Sequence, residues 1–281
     1  MPSSSVTTSF LYHALRGITP AIEASAHGAS ALVHVQKWEM EARKLLFPPL
    51  REQVAITAAL TDADDLIAAL ERLIAKKQAI KQGVMQQLLT GRTRLPGFRD
   101  AWTDHRLGDV SRIKTGSRNN QDKKLGGKYP FFVRSATVEH INTYSYDCEA
   151  ILVPGEGGIG SIFHYIDGKF EIHQRVYKIS DFSPGANGRF IYCYMRQHFG
   201  AHAMENSVKA TVDSLRLPTF RNFVVKLPSS DEQDAIVRVV DDVETELITL
   251  NDRLQKALAI KTGMMQQLLT GRTRLPVDAA P

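Results

Sequence analysis

Gly83-Val84-Met85-Gln86-Gln87-Leu88-Leu89-Thr90-Gly91-Arg92-Thr93-Arg94-Leu95-Pro96 returns 180 residues later as Gly263-Met264-Met265-Gln266-Gln267-Leu268-Leu269-Thr270-Gly271-Arg272-Thr273-Arg274-Leu275-Pro276, with a single substitution. The register runs backwards without a gap. Pro48 matches Pro228, Glu52-Gln53 matches Glu232-Gln233, and Phe10 and Tyr12 match Phe190 and Tyr192. Between Pro48 and Pro96, 24 of 49 positions are identical, more than two helices sharing only a polar–apolar pattern would show. Solenoid repeats have periods of roughly 20–50 residues, so a period this long is a whole module. The expectation is about one and a half copies of one unit, the first begun part-way.

Residues 52–90 and 232–270 read as two long helices. Val240, Val243, Leu247, Leu250, Leu254 and Ala257 step by threes and fours, and Leu60, Ala63, Ile67, Leu70, Ile74 and Lys77 are their counterparts. This heptad-like seam suits pairing with another helix. Pro48-Pro49 and Pro228-Ser229 precede the starts, and Ser229 with Glu232 fits a capping box. Gly91 and Gly271 stand where a left-handed cap would end each helix. Gly83 and Gly263 lie inside the pattern and mark places for a kink or an early stop. At 1.5 Å per residue each rod would be roughly 55–60 Å long, which favours a spacer or docking role over an ordinary core pair.

The segment between the rods has another texture. Short β-rich runs (Leu107–Lys114, Tyr129–Arg134, Ala150–Pro154, Ser161–Tyr165, Arg175–Ile179) alternate with Gly116, Gly126-Gly127, Gly155–Gly160, Gly168 and Pro184-Gly185. A helix from about Arg189 to Phe199 and a short strand near Phe223–Leu227 complete a mixed α/β globule over 97–229. Residues 10–47 repeat only its tail. The expected boundaries are therefore 1–47, a remnant of a first globule; 48–96, the first helix; 97–229, the globule; 230–276, the second helix; and 277–281, a tail.

Charge is uneven. Lys and Arg outnumber Asp and Glu by 18 to 13 over 97–229, whereas the last segment from 230 is acidic, 6 to 9. A basic globule fits a polyanionic partner, because Lys and Arg on phosphates supply most non-specific nucleic-acid affinity. Two cysteines, Cys148 and Cys193, are too few for a disulfide framework and sit in no zinc spacing. No apolar run reaches membrane-spanning length and the first residues are polar, so the expected location is cytoplasmic, with no membrane partner.

Candidate reading residues fall in polar loops. Ser117, Arg118, Asn119, Asn120, Gln121, Lys123 and Lys124 form one cluster, His173, Gln174 and Arg175 a second, Arg134 and Ser135 a third, and Lys209 with Thr211 a fourth. Arg suits guanine, Asn and Gln suit adenine, and Lys suits phosphate. Gly155-Glu156-Gly157-Gly158-Ile159-Gly160 lacks the Lys-Ser/Thr of a phosphate-binding loop and reads as a tight turn between strands, with Glu156 at its tip able to accept from a cytosine amino group. No nucleophile motif stands out, and the histidines His105, His140, His164, His173, His198 and His202 have no metal-like spacing. The residues therefore point to a binding protein rather than an enzyme, with no catalytic residue and no metal.

Leu107-Gly108-Asp109-Val110, Gly127-Lys128-Tyr129-Pro130-Phe131-Phe132-Val133-Arg134, Asp147 to Leu152, Gly168-Lys169-Phe170 and His173-Gln174-Arg175-Val176-Tyr177 resemble the target recognition domain of type I restriction-modification specificity subunits. Phe47-Pro48-Pro49-Leu50-Arg51-Glu52-Gln53 and Gln86-Gln87-Leu88-Leu89-Thr90-Gly91 are similar to that family's conserved spacer helices. The resemblance runs from about Phe10 to Pro276. It implies an α/β (α+β) fold in which a target recognition domain is flanked by two spacer helices paired as an antiparallel coiled coil. It also implies that two recognition domains each read half of a split site in double-stranded DNA, while the helices dock modification (adenine N6 methyltransferase) and restriction subunits. S-adenosylmethionine, ATP and Mg would then belong to those partners, with no cofactor in this chain. The departure is one complete recognition domain plus part of another. A truncated subunit that reads DNA, alone or as a homodimer with a palindromic interrupted site, stands against a remnant or coiled-coil scaffold that binds partners without reading.

Overall fold

The computed structural model describes residues 5–25, 36–206 and 214–276. Helices α1 (Thr8–Ser25), α2 (Lys37–Glu41) and α3 (Leu50–Leu88) lead into β1 (Thr103–Arg106), the turn α4 (Leu107–Val110), β2 (Arg112–Thr115), a 3-10 turn at Asn120–Asp122, β3 (Tyr129–Phe132), β4 (Val138–Ile141), β5 (Tyr146–Pro154), β6 (His164–Ile172) and β7 (Val176–Ser180). Helix α5 (Gly188–Glu205), the short α6 (Leu217–Arg221), β8 (Val224–Leu227) and α7 (Ser230–Leu268) follow. Contacts divide the chain into two compact units, one made of the residues up to Gln78 with those from Thr245 onward, the other of Ala79–Glu244. Both long helices contribute to both units.

The 180-residue offset is structural as well as sequential. Helix α1 is the counterpart of α5, and α3 of α7. The long helices run 39 residues each, and Gly83 and Gly263 lie inside them without a break, with open space where a Cβ would stand. Gly91 and Gly271 both take φ +69°, the left-handed cap the sequence implies. In the first unit Ile67, Leu70 and Ile74 of α3 meet Leu247, Leu250, Leu254 and Ala257 of α7. Asp64 pairs with Lys261 and Lys77 with Glu246, so the two segments run antiparallel. In the second unit Val240 joins Met85, Leu88 and Leu89 in the core, and Lys81 pairs with Glu244 at 2.6 Å. Two seam residues differ in environment: Leu60 packs with Phe10, Ile56 and Leu268 beneath α1, and Val243 is only half-buried.

The junctions where the helices begin are duplicated bond for bond. Gln233 is fully buried; its amide donates to the Gly185 and Pro228 carbonyls at 2.8 and 2.9 Å and its carbonyl accepts from the Asn187 N–H at 2.9 Å. Gln53 does the same with Ser5, Pro48 and Thr7, at 2.9, 2.8 and 3.0 Å. Glu232 takes a two-pronged contact from Arg94 at 2.5 and 2.6 Å, and Glu52 takes its counterpart from Arg274. The capping box expected of Ser229 and Glu232 is thus replaced, because the carboxylate binds the arginine at the far end of the other helix's sequence instead.

The second unit holds a six-stranded sheet in the order β2-β7-β5-β6-β3-β4, antiparallel except for β3 beside β6, and a two-stranded ribbon of β1 with β8. Phe132, Ala150, Leu152, Phe170, Ile172 and Val176 pack together on one side of the sheet. Ile151, Val153 and Ile179 point the other way, onto Phe190, Ile191 and Phe199 of α5, as the strand alternation requires. The sheet is larger than the sequence implied. Leu107–Val110 is a helical turn, whose two apolar residues three apart both face the core, and only Arg112–Thr115 is strand. Strand β6 extends from His164 to Ile172 straight through Gly168, which sits opposite Cys148 with φ +134°, a backbone state that glycine alone takes easily. Strands β1 and β4 carry too little apolar alternation to announce themselves.

Candidate nucleic-acid interface

Most of the loops bearing the candidate residues meet in one network of the second unit. The chain leaving β2 runs beside the β6–β7 turn: Gln174 N–H donates to the Arg118 carbonyl at 2.8 Å, and the Gln174 amide donates to Asn119 Oδ1 at 2.6 Å. Gly116 makes this approach possible, since a Cβ there would lie 2.2 Å from the Ile172 carbonyl oxygen. The β3–β4 turn joins through the His173 N–H, which donates to the Phe132 carbonyl at 2.9 Å. The β5–β6 turn joins through Glu156, whose carboxylate holds Arg134 Nη1 at 3.2 Å and Arg175 Nη1 at 3.3 Å. Gly157, Gly158 and Gly160 take positive φ there, so the glycine-rich run does turn the chain between strands, but as part of a longer connection, 155–163, that takes in Ser161–Phe163, expected as strand. Lys123 extends the surface towards β4 by pairing with Glu139 at 3.1 Å, and the Lys124 backbone is tied to His140.

Exposure separates the candidates. Ser117, Asn119, Asn120, Gln121, Lys123, Lys124, Arg134, Gln174 and Arg175 are exposed, whereas Arg118 and Ser135 are half-buried. His173 is only 5 % exposed, and its Nδ1 accepts the Arg175 N–H at 3.0 Å. Burial, reinforced by the Arg134 and Arg175 charges, holds its pKa below the ordinary value and keeps the ring neutral. His173 therefore shapes the turn rather than presenting its ring to a base. Glu156 is likewise engaged with two guanidiniums, not held open for a cytosine amino group. Lys209 and Thr211 lie outside the described residues.

Several neighbours of the candidate residues carry no local sequence signal. Glu171 is fully buried; its carboxylate accepts from Ser145 Oγ at 2.6 Å and Arg118 Nε at 3.3 Å, so it fixes the arginine from below. A buried carboxylate with a single guanidinium partner orients that partner strongly, because the unpaired charge would be costly. Arg216 and Ser214 line a cleft of about 400 Å³ with Thr115, Glu156 and Arg175. Lys169 lies 4.9 Å over the Tyr144 ring on the adjoining flank. Planar guanidiniums, amides and lysines on one surface can satisfy base edges and phosphates together. Among the described residues, no group of His, Cys, Asp and Glu is arranged to hold a metal ion, and no helix is long and apolar enough to cross a membrane.

Comparison with known proteins gives these features a family. A family model described as the type I restriction modification DNA specificity domain matches residues 99–259. The type I restriction enzyme EcoDI specificity subunit of Escherichia coli is 29% identical over 169 residues, covering 60% of this chain and 37% of that protein. The MjaVIII specificity subunit of Methanocaldococcus jannaschii is 22% identical over 302 residues, 95% of this chain and 70% of its own length. Among solved structures, the type I restriction-modification S subunit from M. genitalium superposes with a TM-score of 0.70 at 16% identity, covering 94% of this chain and 73% of that one. The HsdS subunit from Thermoanaerobacter tengcongensis gives 0.51 at 19% identity, covering 96% and 71%. These likenesses carry the mixed helix-and-sheet fold, and the expectation of a specificity chain rather than an enzyme rests on the family match. With its recognition globule and repeated spacer helices, the chain belongs to the type I restriction modification DNA specificity family.

Proposed function

We propose that this chain supplies the sequence address of a type I restriction-modification complex in the cytoplasm. Its second unit reads one half of a bipartite site in double-stranded DNA. The repeated helical ends dock the modification subunits and, with them, the restriction subunit, and those partners bring S-adenosylmethionine, ATP and Mg. Two copies of the chain together present two such reading surfaces and specify a palindromic, interrupted site. The observation that carries this reading is the convergence of Arg118, Lys123, Arg134, Gln174 and Arg175 from three loops onto one largely exposed network inside the region matched by the family model. Identical exposed residues at both helical ends, including Gln86-Gln87 and Gln266-Gln267, support a docking surface used twice.

The test is to co-express the chain with its modification subunit in a methylation-free host and map N6-methyladenine across the genome. A palindromic interrupted motif is expected. An asymmetric motif would assign the other half to a different recognition domain. No motif from a soluble complex would leave a docking remnant and sink DNA reading. Replacing Arg118, Lys123, Lys124 and Arg175 together with alanine should weaken DNA binding and flatten the dependence of log affinity on log salt. A scaffold without a DNA role would be indifferent.

A further inference from the structure

We infer that Glu156 is a positioning residue of the reading surface, holding Arg134 and Arg175 as a preformed pair aimed at guanine and restraining both from roaming onto phosphates. The inference rests on the DNA-reading function above and assigns the base class that one part of that surface takes.

The backbone beneath Glu156 is fixed from both sides. Gly155 N–H donates to the Arg175 carbonyl at 2.8 Å, Leu215 N–H donates to the Gly155 carbonyl at 2.8 Å, and Glu156 forms an antiparallel bridge with Ser214. Gly155 has no room for a side chain, because a Cβ would stand 2.8 Å from the Tyr177 ring. The carboxylate is therefore delivered to one place, with side-chain exposure of 20 %, between two guanidiniums that are 52 % and 60 % exposed. Each arginine gives one terminal nitrogen, Nη1, to a different carboxylate oxygen. That leaves the Nε–Nη2 edge of each fork open, and two parallel donors are what guanine O6 and N7 require.

Ion pairs this exposed contribute little to folding, so stability does not account for the arrangement. A flexible arginine held beforehand loses less rotamer freedom when it meets its base. The single negative charge also lowers the local charge of the pair, which reduces attraction to any phosphate while leaving the directional bonds to guanine intact. Arg118 differs: its Nε goes to buried Glu171 and its Nη2 to Thr143, so the edge left open on Arg134 and Arg175 is occupied there.

The experiment uses the full chain assembled with its modification subunit and a pool of duplex DNA with a randomised core. Wild type, Glu156→Gln, Arg134→Ala and Arg175→Ala are each selected on the pool, and binding to the selected duplex and to poly(dI-dC) is titrated against salt. Each arginine variant should lose preference for guanine at its own position. Glu156→Gln should relax those same positions about tenfold, with other positions kept and melting temperature unchanged. Its poly(dI-dC) salt slope should steepen by about one phosphate contact. Wild-type preferences and slope retained in Glu156→Gln would overturn the inference while leaving DNA reading intact. Uniform loss at every position would also overturn it, since that is the mark of a merely structural role. A wild-type complex that selects no sequence would remove the DNA-reading function and this inference with it.

Discussion

The Glu52–Gln53 and Glu232–Gln233 junctions are built from the same bonds, yet the units standing on them differ. In the second unit α5 lies over a sheet, and Trp102 meets Phe190 edge-on at 5.9 Å and covers Gly91. In the first unit the counterpart phenylalanine, Phe10, has Phe47 at 6.3 Å, and Leu46 stands beside Gly271. Tyr194 and His198 fill the space beside α5, where Ala14 and Ile18 of α1 border an open groove of about 620 Å³. The spacer sequence thus encodes the same junction beneath two different surroundings. Only the apolar packing behind it depends on what the neighbouring chain provides.

The largest expected contrast is in that packing. Phe190 and Phe10 are both fully buried, but Phe190 belongs to the extended core shared by sheet and helices, whereas Phe10 belongs to a smaller cluster built largely from helices. Phe190→Ala should cost about 3–5 kcal/mol. Phe10→Ala should fall at the low end of that range, about 3 kcal/mol, because exposed Leu46 and Phe47 can collapse into the space left. Each unit carries one tryptophan, Trp38 or Trp102. Urea unfolding followed in single-tryptophan variants reads them separately, and equal losses would break the contrast.

A smaller contrast belongs to the glutamines. Gln233→Ala leaves one N–H and two carbonyls without their partner, and the Pro228 carbonyl among them is buried, at a cost of about 2–4 kcal/mol. Gln53→Ala removes three matching bonds, but Pro48, the counterpart of buried Pro228, is half-buried and water can replace part of what is lost, so about 1–2 kcal/mol is expected. Hydrogen exchange at Asn187 and Thr7 reports each junction locally. Protection lost equally at both amides would mean that the globule adds nothing to the junction beneath it.

These contrasts follow the boundary of what the sequence makes legible. The helices, their ends at Gly91 and Gly271 and the correspondence of α1 with α5 are readable because a repeat of 180 residues states the same local physics twice. The sheet is less so. Strand β6 crosses Gly168, a residue that ordinarily marks a turn, and Leu107–Val110 joins a β-rich run in sequence but has a helical spacing of its buried residues. In the site, arginines and amides in polar loops can be picked out by residue type. The carboxylates behind them cannot: Glu171 lies 53 residues from Arg118, and its burial follows only from the fold that brings them together.

The finest contrast is in acid response. His164, His173 and His198 of the second unit all have pKa values lowered chiefly by burial, so each must be folded neutral. The first unit has one such group among the described residues, His13, also lowered chiefly by burial, with Asp64 opposing and Lys261 and Arg16 assisting. A histidine with a depressed folded pKa binds fewer protons folded than unfolded. Its folded state is fully competitive above about pH 6.5 and loses ground as pH falls from there to the depressed value. Glu52 works in the same direction lower down. The Arg274 hydrogen bonds hold its carboxyl below the usual range, so that contribution is complete above about pH 4.5 and fades as the carboxyl protonates. Between pH 6.5 and 5 the second unit should therefore weaken more steeply than the first, by the extra protons of two histidines. Urea midpoints read at Trp102 and Trp38 across that range test this, and parallel slopes would show that the three histidines gain their protons without unfolding cost. Replacing His173 with Gln, which keeps a polar side chain without a titrating ring, should remove about one histidine's share of the steeper slope while leaving the Trp38 curve unchanged.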